Sequence, residues 1–126
     1  MKGNKKMQIT KNGTSSKINE KFLELKKSKK LALMPFIMAG DPNIKKTSEI
    51  LLKLQEKGAD LIELGIPYSD PLADGPIIQF SASKALKSGT TCIKVIQLLE
   101  SLKDKLHIPV IPVSYTHLTL PTILLV

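Results

Sequence analysis

Between Leu61 and Pro76 the chain reads LIELGIPYSDPLADGP, an apolar run with a carboxylate inside it and two more in the loop that follows. Alternate side chains of a strand share a face, so Leu61, Glu63 and Gly65 point one way and Ile62, Leu64 and Ile66 the other. The purely aliphatic set is expected to pack under helices. Glu63 then faces the opposite side, where Gly65 leaves room beside it. A carboxyl held there must find a partner or stay partly protonated with a raised pKa, and such a group can both give and take a proton. The structural alternative is a Glu paired with a Lys or with backbone amides. Asp74 follows Glu63 closely enough in the chain to face the same ligand, although Asp70-Pro71 and Asp74-Gly75 are also ordinary turn pairs. Asp74 fits the site better, and Asp70 fits a turn or a partner contact.

Other chemistry is thinly supported. His107 and His117 lack the Cys or acid spacing of a metal site. No glycine-rich phosphate loop of the P-loop or dinucleotide type is present, and no Ser/His/Asp set with an elbow motif. The single cysteine, Cys92, excludes an internal disulfide, fits a reducing compartment and reads as helix packing.

The elements that must position Glu63 follow from periodicity. Residues 1–15 are polar and Lys-rich, a disordered leader. Ser16 is placed to cap a helix over 17–29 with Ile18, Phe22 and Leu25 on its apolar side. LALMPFIMAG (31–40) suits a strand buried on both faces. Asp41-Pro42 offers an N-cap and a first-turn proline for a helix that carries Thr47, Ile50, Leu51 and Leu54 and stops at Gly58. A second strand spans 59–67 and a helix 77–89. Thr91 caps a further helix with Cys92, Val95, Ile96, Leu99 and Leu102 on one face. HIPVI (107–111) begins a third strand. Buried strands separated by helices pair in parallel through right-handed crossovers, so the class is α/β. Pattern alone leaves a barrel and an open doubly wound sheet both standing. In parallel α/β folds ligands bind at the carboxyl ends of the strands, which is where SDPLADGP lies.

The chain has 126 residues and a formal charge of +8. All of that excess falls in residues 1–30, and the rest is neutral. A basic leader on a neutral body, without arginine or interleaved aromatics, does not read as a nucleic-acid interface. No apolar run is long enough to span a membrane and no signal peptide is visible, which points to a soluble protein that acts on no membrane.

MPFIMAGDPN (34–43) followed by GADLIELGIPYSDPLADGPIIQ (58–79) closely resembles the tryptophan synthase alpha chain family, over roughly residues 17–111. The resemblance implies the N-terminal portion of a (β/α)8 TIM barrel with an extra N-terminal helix. It implies a lyase that cleaves indole-3-glycerol phosphate to indole and glyceraldehyde 3-phosphate by a retro-aldol reaction. Carried over by motif, Glu63 is the general acid/base and Asp74 the acceptor of the indole N–H, with Phe36 and Ile78 lining the indole pocket. Tyr68, Ser69, Asp70, Pro71 and Leu72 match a loop facing a beta chain, the expected partner in an alpha2beta2 tetramer. No cofactor is expected in this chain; pyridoxal phosphate belongs to the beta chain. The location implied is cytoplasmic, or plastid stroma if plastid-encoded. A fragment that only docks on the beta chain, or another phosphate-binding barrel lyase or isomerase, are the alternatives.

A complete barrel of this kind needs about 250 residues. After HIPVI (107–111) the text departs from the family. VSYTHLTLPT (113–122) back-translates as GTC TCT TAT ACA CAT CTG ACG CTG CCG ACG, which reads like a transposase-end adaptor used to prepare sequencing libraries. The expected domains are therefore the leader 1–15, a partial barrel 16–111 and a non-native tail 112–126. The family's phosphate-binding loops come later in the barrel, so the 126 residues alone are expected to lack lyase activity.

Overall fold

Proline and glycine set the limits of most elements. The computed structural model describes residues 14–69 and 74–114, so most of the expected leader and tail lies outside the described residues. The elements are α1 (Thr14–Lys27), β1 (Phe36–Met38), α2 (Ile44–Glu56), β2 (Ile62–Gly65), α3 (Pro76–Lys87), α4 (Cys92–Ser101) and β3 (Val110–Val113). The strands form one parallel sheet in the order β1-β2-β3. The order of elements and the parallel pairing are those the periodicity implied.

The alternation in β2 holds. Ile62, Leu64 and Ile66 join Leu51 of α2, Val95 and Leu98 of α4 and its C-cap Leu102 in the main core. Leu98 was missed on α4, and the expected Ile96 is only partly buried. Glu63 and Gly65 face the other side, in register with Phe36 and Met38 of β1. A second small cluster, Met38 with Ala82 and Ala85, seats α3 against β1.

Several boundaries differ from expectation. α1 begins at Thr14, two residues before the expected cap Ser16, and buries Ile18 and Leu25 while Phe22 stays half exposed. The expected strand 31–40 shrinks to Phe36–Met38, because Pro35 has no N–H to give the ladder. Its approach still pairs with the β2 segment: Asp60 N donates to Leu33 O, Glu63 N to Pro35 O, and Leu33 N donates to Asp60 Oδ2 at 2.8 Å. Leu31, Leu33 and Met34 are exposed and not buried on both faces.

Asp41 does not cap α2. Asn43 does, its side chain accepting from Lys46 N at 2.8 Å, and the Asp41-Pro42 peptide is cis. Thr91 caps α4 as expected, accepting from Lys94 N. The second strand is Ile62–Gly65, shorter than the 59–67 run. β3 starts three residues later than expected and runs on through Pro112 and Val113, opposite Leu64 and Gly65. Its late start has a physical cause: His107 N and Ile108 N donate to Gln55 Oε1 at 2.5 and 3.1 Å, and not to a neighbouring strand.

Candidate active site

The carboxyl ends of the strands and the start of α3 enclose a cleft of about 200 Å³. Its floor is the face of the sheet turned away from the main core: Phe36 and Met38 from β1, Glu63 and Gly65 from β2, Val113 from β3. Its wall is Ile78 and Ala82 of α3, and Ile66, Tyr68 and Asp74 from the flanks of the β2–α3 loop complete the lining. Local sequence explains each placement. Period two puts Glu63 on the floor, and a helical step of four puts Ile78 and Ala82 on one side of α3.

Glu63 is half-buried, with Phe36 and Ile111 as its neighbours across the sheet. Among the described residues no cation pairs with its carboxylate and no donor bonds to it, so the pairing that would have made it structural is not found there. Asp74 is half-buried just before Gly75, the N-cap of α3, and Gln79 Nε2 donates to its backbone carbonyl at 2.6 Å. The two carboxylates read from the sequence therefore meet at one apolar cleft, together with Phe36 and Ile78. The room beside Gly65 is not open space: Phe36 and Met38 fill it.

Of the five expected partner-facing positions, Tyr68 lines the cleft and Ser69 is exposed, while Asp70, Pro71 and Leu72 lie outside the described residues. Met38, Ala82 and Val113 were not singled out from the sequence. Met38 could have been found by stepping two residues from Phe36, and Ala82 by stepping four from Ile78. Asp41 was misread as a cap. Its carboxylate accepts from the Ser81 hydroxyl and pairs with Lys84 Nζ at 3.1 Å. Burial works to raise the Asp41 carboxyl, but Ser81 and Lys84 together outweigh it and hold it below the usual carboxylate range. No local pattern announces a partner forty residues away. Burial pushes the Cys92 thiol up, in keeping with a packing role. Among the described residues no group of His, Cys, Asp and Glu gathers as a metal site, and no helix is long and apolar enough to cross a membrane.

Consecutive parallel strands with helices in the crossovers, and a cleft at the carboxyl ends of the strands, define part of an α/β barrel. Residues 22–122 match the family model described as tryptophan synthase alpha chain. The chain belongs to that family. It is 83% identical over 115 residues to a tryptophan synthase alpha chain of Prochlorococcus marinus subsp. pastoris, covering 91% of this chain and 41% of the relative. It is 56% identical over 107 residues to that of another Prochlorococcus marinus strain, covering 85% of this chain and 39% of the relative. Tryptophan synthase subunit alpha from Legionella pneumophila superposes with a TM-score of 0.73 at 38% identity, over 76% of this chain and 37% of the other. The chain thus spans about two fifths of the length of the relatives it matches.

Proposed function

We propose that this segment supplies the aromatic half of the active site of a lyase that cleaves indole-3-glycerol phosphate to indole and glyceraldehyde 3-phosphate, in tryptophan biosynthesis. The observation that carries the proposal is the convergence of Glu63 and Asp74 on one cleft floored by Phe36 and walled by Ile78. An apolar slot with two carboxylates suits a flat ring carrying an N–H.

The chemistry divides between the two acids. Glu63 delivers a proton to indole C3, which makes the ring an electron sink, and takes the proton from the hydroxyl on the adjoining glycerol carbon. The bond between C3 and that carbon breaks, its electron pair returns to the ring, and the carbon becomes the aldehyde. Asp74 accepts the ring N–H and stabilises the positive charge that develops there. Phe36 and Ile78 hold the ring in the plane that aligns the breaking bond.

The chain itself is proposed to need no cofactor. The partner is a beta chain carrying pyridoxal phosphate, docked near Tyr68–Leu72 in an alpha2beta2 tetramer, and the setting is the cytoplasm or a plastid stroma. The test uses a chimera in which residues 1–111 replace the matching segment of the 83%-identical relative. Glu63→Gln should cut indole release by a factor of about 10²–10⁴ while leaving the dissociation constant for indole within about twofold. Undiminished release in that variant would sink the proposal.

A further inference from the structure

Asp41 stands outside the cleft, yet it joins the two segments that build its floor and wall. It lies three residues beyond Met38, and its N–H donates to Met38 O at 3.3 Å. The preceding residue is fixed firmly. Gly40 N donates to the Oγ1 of fully buried Thr47 at 2.9 Å, and Gly40 O accepts from Ser88 Oγ at 3.0 Å. From this anchored position the Asp41 carboxylate reaches across to α3, where Ser81 and Lys84 are one turn apart and both engage it.

The same helix presents Ile78 and Ala82 to the cleft, and it begins directly after Asp74 and Gly75. Gln79 ties the Asp74 backbone into the first turn of α3. A shift or roll of α3 therefore carries Asp74 and Ile78 with it. The contacts of α3 with β1 are small, formed by Met38 with two alanines and Ile78. Small apolar side chains permit sliding, so directional polar tethers fix the helix along its axis: Ser88, the C-cap of α3, holds one end to Gly40 O, and Asp41 engages Ser81 and Lys84 nearer the cleft.

We propose that Asp41 is a positioning residue: through Ser81 and Lys84 it fixes α3, and so sets where Asp74 and Ile78 stand opposite Glu63. The inference rests on the reading that Glu63 and Asp74 act on an indole-bearing substrate. No proton moves through Asp41, and it touches no reacting atom. Its depressed carboxyl keeps it an anionic acceptor throughout the neutral range.

A coupling measurement separates positioning from plain support of the fold. In the chimera, Asp41→Ala should lower kcat/KM for indole release by about ten- to a hundredfold, the scale expected when catalytic groups are misplaced by about 1 Å. In an Asp74→Asn background the same change should cost less than about threefold, because the group being positioned is already disabled. Asp41→Asn, which still accepts from Ser81, should recover part of the loss. Ser81→Ala should show the same coupling to Asp74→Asn, and it serves if Asp41→Ala fails to fold. Equal losses in both backgrounds, or no loss with Asp41→Ala, overturn the positioning role. If Glu63→Gln abolishes release but Asp41 and Asp74 do not couple, only this inference falls. If release survives Glu63→Gln, the proposed function falls first.

Discussion

The ring of Phe36 occupies the space a side chain at Gly65 would need: a Cβ built on Gly65 would stand 2.7 Å from Phe36 Cζ, and 3.1 Å from both Sδ and Cε of Met38. Phe36 pairs with Glu63 in the sheet register, so its ring leans one row along the strand to lie over Gly65. The glycine is required by packing and not by backbone conformation. Replacing it should push Phe36 into the cleft and narrow the slot. In the chimera, Gly65→Ala should reduce kcat/KM for indole release by about tenfold or more, with Phe36→Leu in the same chain restoring part of it. A double variant as poor as Gly65→Ala alone would show that Phe36 is not the obstacle.

Asp41 should leave a mark on acid stability. Its folded carboxyl sits below the ordinary value of 3.8, so the stabilisation it confers is complete above that value and is lost as pH falls toward the folded one. Thermal unfolding of the chimera between pH 6 and pH 2 should show a shallower acid limb with Asp41→Asn, and a lower melting temperature at neutral pH. Identical acid limbs would mean that the Ser81 and Lys84 contacts contribute nothing in solution.

Gly40 and Gly58 both adopt left-handed backbone, with φ of 88° and 98°, but their surroundings differ. A Cβ at Gly58 meets nothing within 4 Å, whereas one at Gly40 would lie 1.8 Å from Thr90 Oγ1. Gly58→Ala should therefore cost only the conformational strain, about 1 kcal/mol, and Gly40→Ala about 2–3 kcal/mol more through displacement of buried Thr90. Urea unfolding of the two variants measures the difference; equal midpoints would refute the crowding.

The segment after Ile111 carries two opposed expectations. One back-translation of it reads like an adaptor, yet the family match runs on to residue 122. Amplifying across the junction from source DNA decides between them: we expect the adaptor-like codons to be missing from the genomic copy, and their recovery there would overturn the non-native tail. The polypeptide of 126 residues, about two fifths of its relatives' length, is expected to release no indole on its own. Turnover near that of the chimera would contradict this.

Period-two and period-3.6 patterns carried the sheet face, much of the core and Glu63, because in each case a single strand or helix decides the outcome. Asp74 was read instead from its place in the loop after the strand, and Phe36 and Ile78 came only with the family resemblance. Asp41 was not legible, since an Asp-Pro pair looks the same whether it caps the next helix or reaches a serine on a distant one. Met34 and its neighbours misled for a related reason. An apolar run reports a preference for burial, but Pro35 ends the ladder regardless, and the residues before it stay exposed.

Gln55 links α2 to the approach of the third strand. Its amide oxygen takes the N–H groups of His107 and Ile108, while its Nε2 donates to Lys105 O at 2.9 Å, so one helical side chain grips both ends of a four-residue backbone arc. Gln55 thereby couples α2 to the entry of β3, so the placement of the third strand depends on a side chain of the helix two elements before α3.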